Sequence, residues 1–260
     1  MADRETGQEL RADLNGPAGG EADLAPVVAG WDHEPGTINV REVAGLDGRP
    51  KVQLRLELGV IQMETVGRPD GLLPHGRASL LAHHMLRRAR VDAADYRLDA
   101  AEADLVRREA AMYRQRMLAL FVLEEYEDVV RDANHGLRLA RLLREHAAAP
   151  ADRRSLRADR PALLMMRARA RAVLANDDPA AALEALRRGR RQVRRAIGGG
   201  RAWRDSAERL VLDAAERVLR ERLPEDPAGR LQRALERAVR REQYERAAVL
   251  RDELDRLTAA

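Results

Sequence analysis

The sequence predicts a mainly α protein: stacked helical hairpins, a small antiparallel β-hairpin near the N terminus, and a separate short helical hairpin at the C terminus. Three observations carry this. From Ser79 to Leu257 apolar residues recur at helical spacing. Residues 52–58 instead alternate, with Val52, Leu54, Leu56 and Leu58 against Gln53, Arg55 and Glu57, which is the period of a half-buried strand. Aromatic residues make up only 3% of the chain and Phe121 is the sole phenylalanine, so the core must be built from small and aliphatic side chains that favour closely packed helices.

Residues 1–29 are rich in Gly, Ala, Asp and Glu without a sustained period, and a mostly disordered tail is expected there. A small β-rich segment is expected over 30–76. In it, Gly36–Ala44 alternates through Ile38, Val40 and Val43, Gly45–Pro50 forms a turn, and residues 52–58 return as the second strand. Val60–Met63 continues as a third strand or as a bulged extension. Two or three strands are marginal alone and need a cover, which the helices supply. Helices are expected at 79–93, 95–123, 126–146, 160–175, 179–197 and 203–222, forming a helical-hairpin body over 77–222, and then at 227–241 and 244–258. Breaks fall at Asn176–Pro179, at the helix stop or hinge Gly198–Gly200, and at Leu223–Pro227. Pro179 and Pro227 each follow an aspartate, the N-cap and Pro-at-N1 arrangement that starts a helix.

Three turns look alike. Those ahead of Tyr126, Pro179 and Tyr244 each combine acidic or amide residues with an aromatic or proline and a small apolar pair three and four residues on. They resemble the turn inside a tetratricopeptide repeat, but their uneven spacing implies a degenerate stack of hairpins in place of a regular array.

Cysteine is absent, which excludes disulfides and thiolate metal sites. No run approaches the length of a membrane span and the N terminus carries no basic-then-apolar leader, so a cytoplasmic bacterial protein without membrane contact is expected. Adjacent His83 and His84 point about 100° apart on a helix, poor geometry for one metal, and the other histidines match no ligand spacing. Asp177-Asp178 and Glu124-Glu125 lie in turns that need polar caps. Gly198–Gly200 follows a helix and lacks the lysine of a phosphate loop, and Ser79, Ser155 and Ser206 lie in no nucleophile elbow. The expectation is a protein that is not an enzyme, with no cofactor, no metal and no small-molecule substrate.

Lys51 is the only lysine among 47 basic residues. The charge is uneven: residues 153–204 hold 15 arginines against four acids, whereas the flanking segments are acidic or near neutral. Arg187, Arg190, Arg191, Arg194 and Arg195 fall on one helical arc and offer a phosphate-tracking face, the basis of an alternative reading as a nucleic-acid-binding protein. Trp203 is the only nearby ring, and the seam between helices is its expected place.

The C-terminal string Leu231-Gln-Arg-Ala-Leu235 through Ala238-Val239, then Tyr244-Glu245, Ala247-Ala248, Leu250-Arg251-Asp252 and Leu254, resembles the UVR motif. That hairpin is shared by two excinuclease subunits, certain Clp-type ATPases and the adaptor of a bacterial protein-arginine kinase. At its turn stands Glu242, more like the ATPase and adaptor versions. The string from Trp31 to Gly71 is similar to the opening of a group of uncharacterised bacterial UVR-motif proteins. The resemblance implies a protein-contact device. Leu231, Leu235, Tyr244, Ala247, Leu250 and Leu254 are then the expected docking residues, with Arg251 and Asp252 orienting at the rim. An interaction scaffold or adaptor is expected, with an excision-repair nuclease subunit, a Clp-type protease system or a second copy of the chain as partner.

Overall fold

The computed structural model describes residues 24–92, 95–222 and 227–258. Most of the expected tail falls outside them, and its last residues form one helical turn, α1 (Ala25–Val28). Three strands follow, β1 (Val40–Ala44), β2 (Pro50–Leu56) and β3 (Gly59–Glu64), antiparallel in the order β1-β2-β3, with Val40 opposite Leu54 and Val52 opposite Met63. The expected hairpin is thus a three-stranded sheet, because Glu57 and Leu58 reverse the chain in two residues and let Val60–Met63 pair along β2.

The alternating strand also departs from expectation. Val52 is buried and Leu54 half-buried, but Leu56 is exposed, and so is Leu58, which sits in the tight turn. On the other face Lys51 and Gln53 are buried. There Lys51 Nζ donates to Asp47 (2.8 Å) and Glu64 (2.5 Å), Arg41 donates to Gln53 (2.8 Å), and Gln53 to Gln62 (2.9 Å). A ladder of long polar side chains covers the face that period alone assigns to solvent.

The helices are α2 (Leu80–Arg88), α3 (Ala100–Val122), α4 (Tyr126–His146), α5 (Pro150–Arg154), α6 (Arg160–Leu174), α7 (Pro179–Ile197), α8 (Gly200–Arg204), α9 (Ala207–Arg222), α10 (Pro227–Arg240) and α11 (Tyr244–Thr258). Besides α2, which stops at Arg88 where a helix to residue 93 is expected, three departures correct the expectation. α3 begins at Ala100 because Asp99 accepts from the Glu102 amide (2.8 Å) while Glu102 accepts from the Asp99 amide (3.0 Å), a closed capping box. Ahead of it the Asp95 and Tyr96 amides donate to the Asp92 carbonyl (3.0 and 3.2 Å), and Leu98 pairs with the end of α4 through bonds to His146 and Ala148. The short α5 was not expected. The helix drawn over 203–222 is broken at Asp205-Ser206, where the Ser206 hydroxyl accepts from the Arg209 amide (3.3 Å) and restarts the chain as α9. The expected break at 223–226 lies outside the described residues.

From α3 onward the long helices stack in chain order: α3 on α4, α4 on α6, α6 on α7, and α7 on α9. The sheet closes one end, with Val52 and Met63 packed against Met117 and Leu120 of α3. Small residues set the helix spacing. Gly136 of α4 faces Leu163, and a Cβ built on Gly189 of α7 would overlap the Cβ of Ala168 on α6. Gly189→Ala should therefore destabilise the fold by about 1–3 kcal/mol through overpacking, even though alanine is favoured over glycine in a helix by ~1 kcal/mol. Urea denaturation measures it, and a variant as stable as the parent would mean that the two helices separate without cost.

Candidate functional site

The C-terminal hairpin, α10 and α11, is built from its turn outward. Glu242 adopts the left-handed conformation (φ 58°), which lets its amide donate to the Val239 carbonyl (3.0 Å) and the Gln243 amide to the Ala238 carbonyl (2.9 Å). Those bonds satisfy carbonyls left open at the end of α10, and the Ala247 amide then donates to Gln243 (2.9 Å) as α11 begins. Ala238 and Ala247 are buried where the two helices meet, and their small side chains permit close approach. Leu231, Leu235, Leu250 and Leu254 are half-buried. Tyr244 is 69% exposed, and Val239, Val249 and Leu257 are exposed with it. Arg251 and Asp252 face solvent. The residues singled out from sequence therefore divide into a buried centre, a half-buried leucine set and an exposed tyrosine with polar neighbours.

The same turn occurs inside the body. Between α3 and α4, Glu124 is left-handed (φ 63°), its amide donates to Phe121 (3.3 Å), the Glu125 amide to Leu120 (2.9 Å) and the Val129 amide to Glu125 (3.0 Å). Position for position, Leu120 stands where Ala238 does, Tyr126 where Tyr244 does, and Val129 where Ala247 does. The third turn expected to be alike is different: Asn176–Asp178 contains no left-handed residue, and Asp178 caps α7 by accepting from the Ala180 and Ala181 amides (3.0 Å each). The two true copies differ in cover. Tyr126 is half-buried and meets Phe121 edge-on at 5.5 Å within the core beside the sheet and α6, whereas Tyr244 is bare.

In the arginine arc on α7, Arg190 is set apart from the rest. Arg190 lies over the Trp203 ring (5.8 Å) and pairs with Asp213 (3.0 Å) and Glu216 (3.4 Å) of α9, so its charge is neutralised internally. Trp203 is buried in the α7–α9 core, as expected. Arg191 pairs with Glu184 (2.9 Å). Arg187, Arg194 and Arg195 are exposed, and Arg195 also lines a cleft bounded by α4, α5 and α6. An arc this wide on a packed helix spans three environments.

Sequence reasoning missed the buried charges between α2, α3 and α4. Glu109 is fully buried and accepts from the Leu80 and Leu81 amides (2.8 and 3.4 Å), capping α2, and it bonds His135 Nε2 (2.9 Å). Burial pushes its carboxyl up, but the bonds from His135 and those amides outweigh that and hold it below the usual carboxylate range. His135 stacks on Tyr113 at 3.7 Å. Arg116 and Asp132 form a bidentate pair, 2.7 and 2.8 Å, with no exposed surface on either side chain. The signal lay in spacing, since Glu109, Tyr113, Arg116 and Leu120 share one stripe of α3. Among the described residues no cluster of three acidic or histidine side chains offers a metal cage, and no helix is long and apolar enough to cross a membrane. Ser79, Asp178 and Ser206 cap helices.

No curated protein and no solved structure matches the chain. The family model described as the UvrB/uvrC motif matches residues 228–259, the hairpin built here from its turn. The C-terminal hairpin of this chain is a UVR motif.

Proposed function

We propose that this protein is a non-enzymatic interaction scaffold that docks another protein through its UVR hairpin. One observation carries the reading. The hairpin repeats the α3–α4 turn of the body, where the equivalent tyrosine is half-buried in the core, yet its own Tyr244 stands 69% exposed, and Val239 and Val249 of the same hairpin are exposed too. Exposed aromatic and aliphatic residues grouped on a motif shared among interacting proteins favour a docking surface, with tyrosine the type of residue that anchors interfaces. Arg251 and Asp252 supply the polar rim and fix orientation more than affinity. An excision-repair nuclease subunit, a Clp-type protease system and a second copy of the chain are the partners the motif suggests.

Tyr244→Asp is the informative variant, because the side chain is exposed and its replacement leaves the Ala238–Ala247 centre intact. Burying such a ring contributes roughly 1.5–3 kcal/mol, so docking should weaken about tenfold or more. Proximity labelling from the C terminus of the full chain, with and without the substitution, reads the partner, and sedimentation reads self-association. Identical labelling profiles together with unchanged sedimentation would sink the docking role.

A further inference from the structure

A cleft of about 900 Å³ has walls that come from α4, α5, α6 and α7. Arg153 and Arg154 of α5, Arg157 just after it, Arg160 and Arg167 of α6 and Arg195 of α7 line it, with Arg141 and Arg144 of α4 on the remaining wall. The lining contains no acidic side chain, no lysine and no aromatic ring, and its apolar part is Leu137, Ala140, Pro150, Leu156 and Leu164.

The positive charge is poorly compensated. Arg141 and Arg144 share the single carboxylate of Glu145. Arg153 donates to the Ala147 and Ala148 carbonyls, and Arg167 to the neutral amides of Asn134 and Gln192 (2.8 Å each). Asp159, the acid next to Arg160, is held by Arg114 (3.0 Å). Arg154, Arg157, Arg160 and Arg195 have no carboxylate partner among the described residues. Burial first, and then the neighbouring charges of Arg171 and Arg160, push the Arg167 guanidinium below its ordinary range. Arg195 also lines a second recess with Arg191, Arg194, Gly198 and Gly199, which extends the basic track beyond the cleft.

Planar guanidinium forks match phosphate oxygens two at a time. An acidic polypeptide would also answer the charge, but protein interfaces draw most of their energy from buried aromatic or large apolar anchors, and this lining has no ring to offer. A duplex carries its phosphates on the outside of a wide cylinder and is read by elements that enter its grooves. A concave cleft lined by arginines can instead follow one backbone through its phosphates, without the base stacking that rings would add. We propose that this cleft binds the phosphodiester backbone of single-stranded nucleic acid, without reading bases, as a site independent of the UVR hairpin.

The test titrates a fluorescein-labelled oligothymidylate into the full chain by anisotropy over a salt series. Two charge-matched variants are compared: Arg157→Gln/Arg160→Gln/Arg195→Gln in the cleft, and Arg77→Gln/Arg90→Gln/Arg217→Gln, exposed arginines elsewhere. The cleft triple should raise Kd at least about tenfold at 0.1 M salt. It should also flatten the slope of log Kd against log salt by about 2, because each phosphate neutralised on a single strand contributes roughly 0.7 to that slope. The control triple should change Kd less than about threefold. All six arginines are exposed, so both variants should fold, and circular dichroism checks this; single Arg157→Gln, carrying about a third of the slope change, decides the matter if the triple does not fold. The proposal is overturned if the parent chain does not bind at low salt, if the two triples weaken binding equally, or if polyglutamate or a duplex competes as well as unlabelled oligothymidylate at equal charge.

Discussion

Asp132→Ala should cost about 3–5 kcal/mol of stability. The carboxylate accepts from Nε and Nη2 along one edge of the Arg116 guanidinium, at 2.7 and 2.8 Å, in a site with no exposed surface, and also accepts from Arg131 (3.1 Å). Removing it leaves a buried cation with one neutral acceptor, the Glu64 carbonyl (2.8 Å), and the face of Tyr113 (4.9 Å). Arg116 links three elements, since its donors reach α4 through Asp132 and the end of β3 through Glu64, so its misplacement should loosen the seating of the sheet as well as the α3–α4 pair. Urea denaturation gives the magnitude. Adding Arg116→Met to Asp132→Ala should recover much of it, because an apolar side chain of similar length removes the stranded charge. A single-variant loss under about 1 kcal/mol would mean that the guanidinium finds water, and the account of a sealed pair would be wrong.

That pair shows where sequence reading reached its limit. Helix period located α4, α7 and α11 to the residue, because in those segments the apolar stripe and the flanking turn agree, with a proline at N1 added in α7. It could not mark Arg116, since arginines occur on nearly every helix and most of them are solvated. Only its place in register with Tyr113 and Leu120 betrays burial. The capping box of Asp99 and Glu102 was legible and fixes the start of α3, yet the apolar residues ahead of it, Tyr96 and Leu98, extend the apparent stripe. They are buried ahead of the helix, against the end of α4.

The site shows a similar division. The hairpin was readable because its turn and seam are local. The arginine arc was readable as a charge excess, but not that α9 neutralises Arg190 or that α4, α5 and α6 bring Arg153, Arg157, Arg160 and Arg167 to one cleft with Arg195. Which cations remain available is a property of packing between distant segments, on which composition is silent. The near-identity of the Glu124 and Glu242 turns adds a structural measure to the docking argument: within one chain the same device is seen once with its tyrosine half-buried in the core and once with it exposed.

The stability of this fold should fall by about 3 kcal/mol between pH 7 and pH 4 on account of His84 alone. The imidazole is buried, 2% exposed, and its Nδ1 lies 3.0 Å from the Tyr96 hydroxyl. Burial pushes that phenol up to about 12, so it stays protonated and donates to a neutral ring. Burial likewise lowers His84 to about 4, with Glu102 and Glu109 opposing the shift and His83 and Arg87 adding to it. The unfolded imidazole titrates near 6.5, so between that value and about 4 the unfolded chain binds the extra proton and stability drops as pH falls; above 6.5 the contribution is complete. His83 and His146 are lowered as well, first by burial, and steepen the same window. Glu109 acts in a separate one: held below its usual range, it stabilises above the ordinary carboxylate value near 4.5, and that stabilisation disappears only as pH falls further. His84→Gln separates the two, since an amide oxygen can accept from Tyr96 but does not titrate. The variant should be less stable than the parent at pH 7 and more stable at pH 4.5, so that the two urea-denaturation profiles cross; parallel profiles would show that the buried imidazole is not the group being charged.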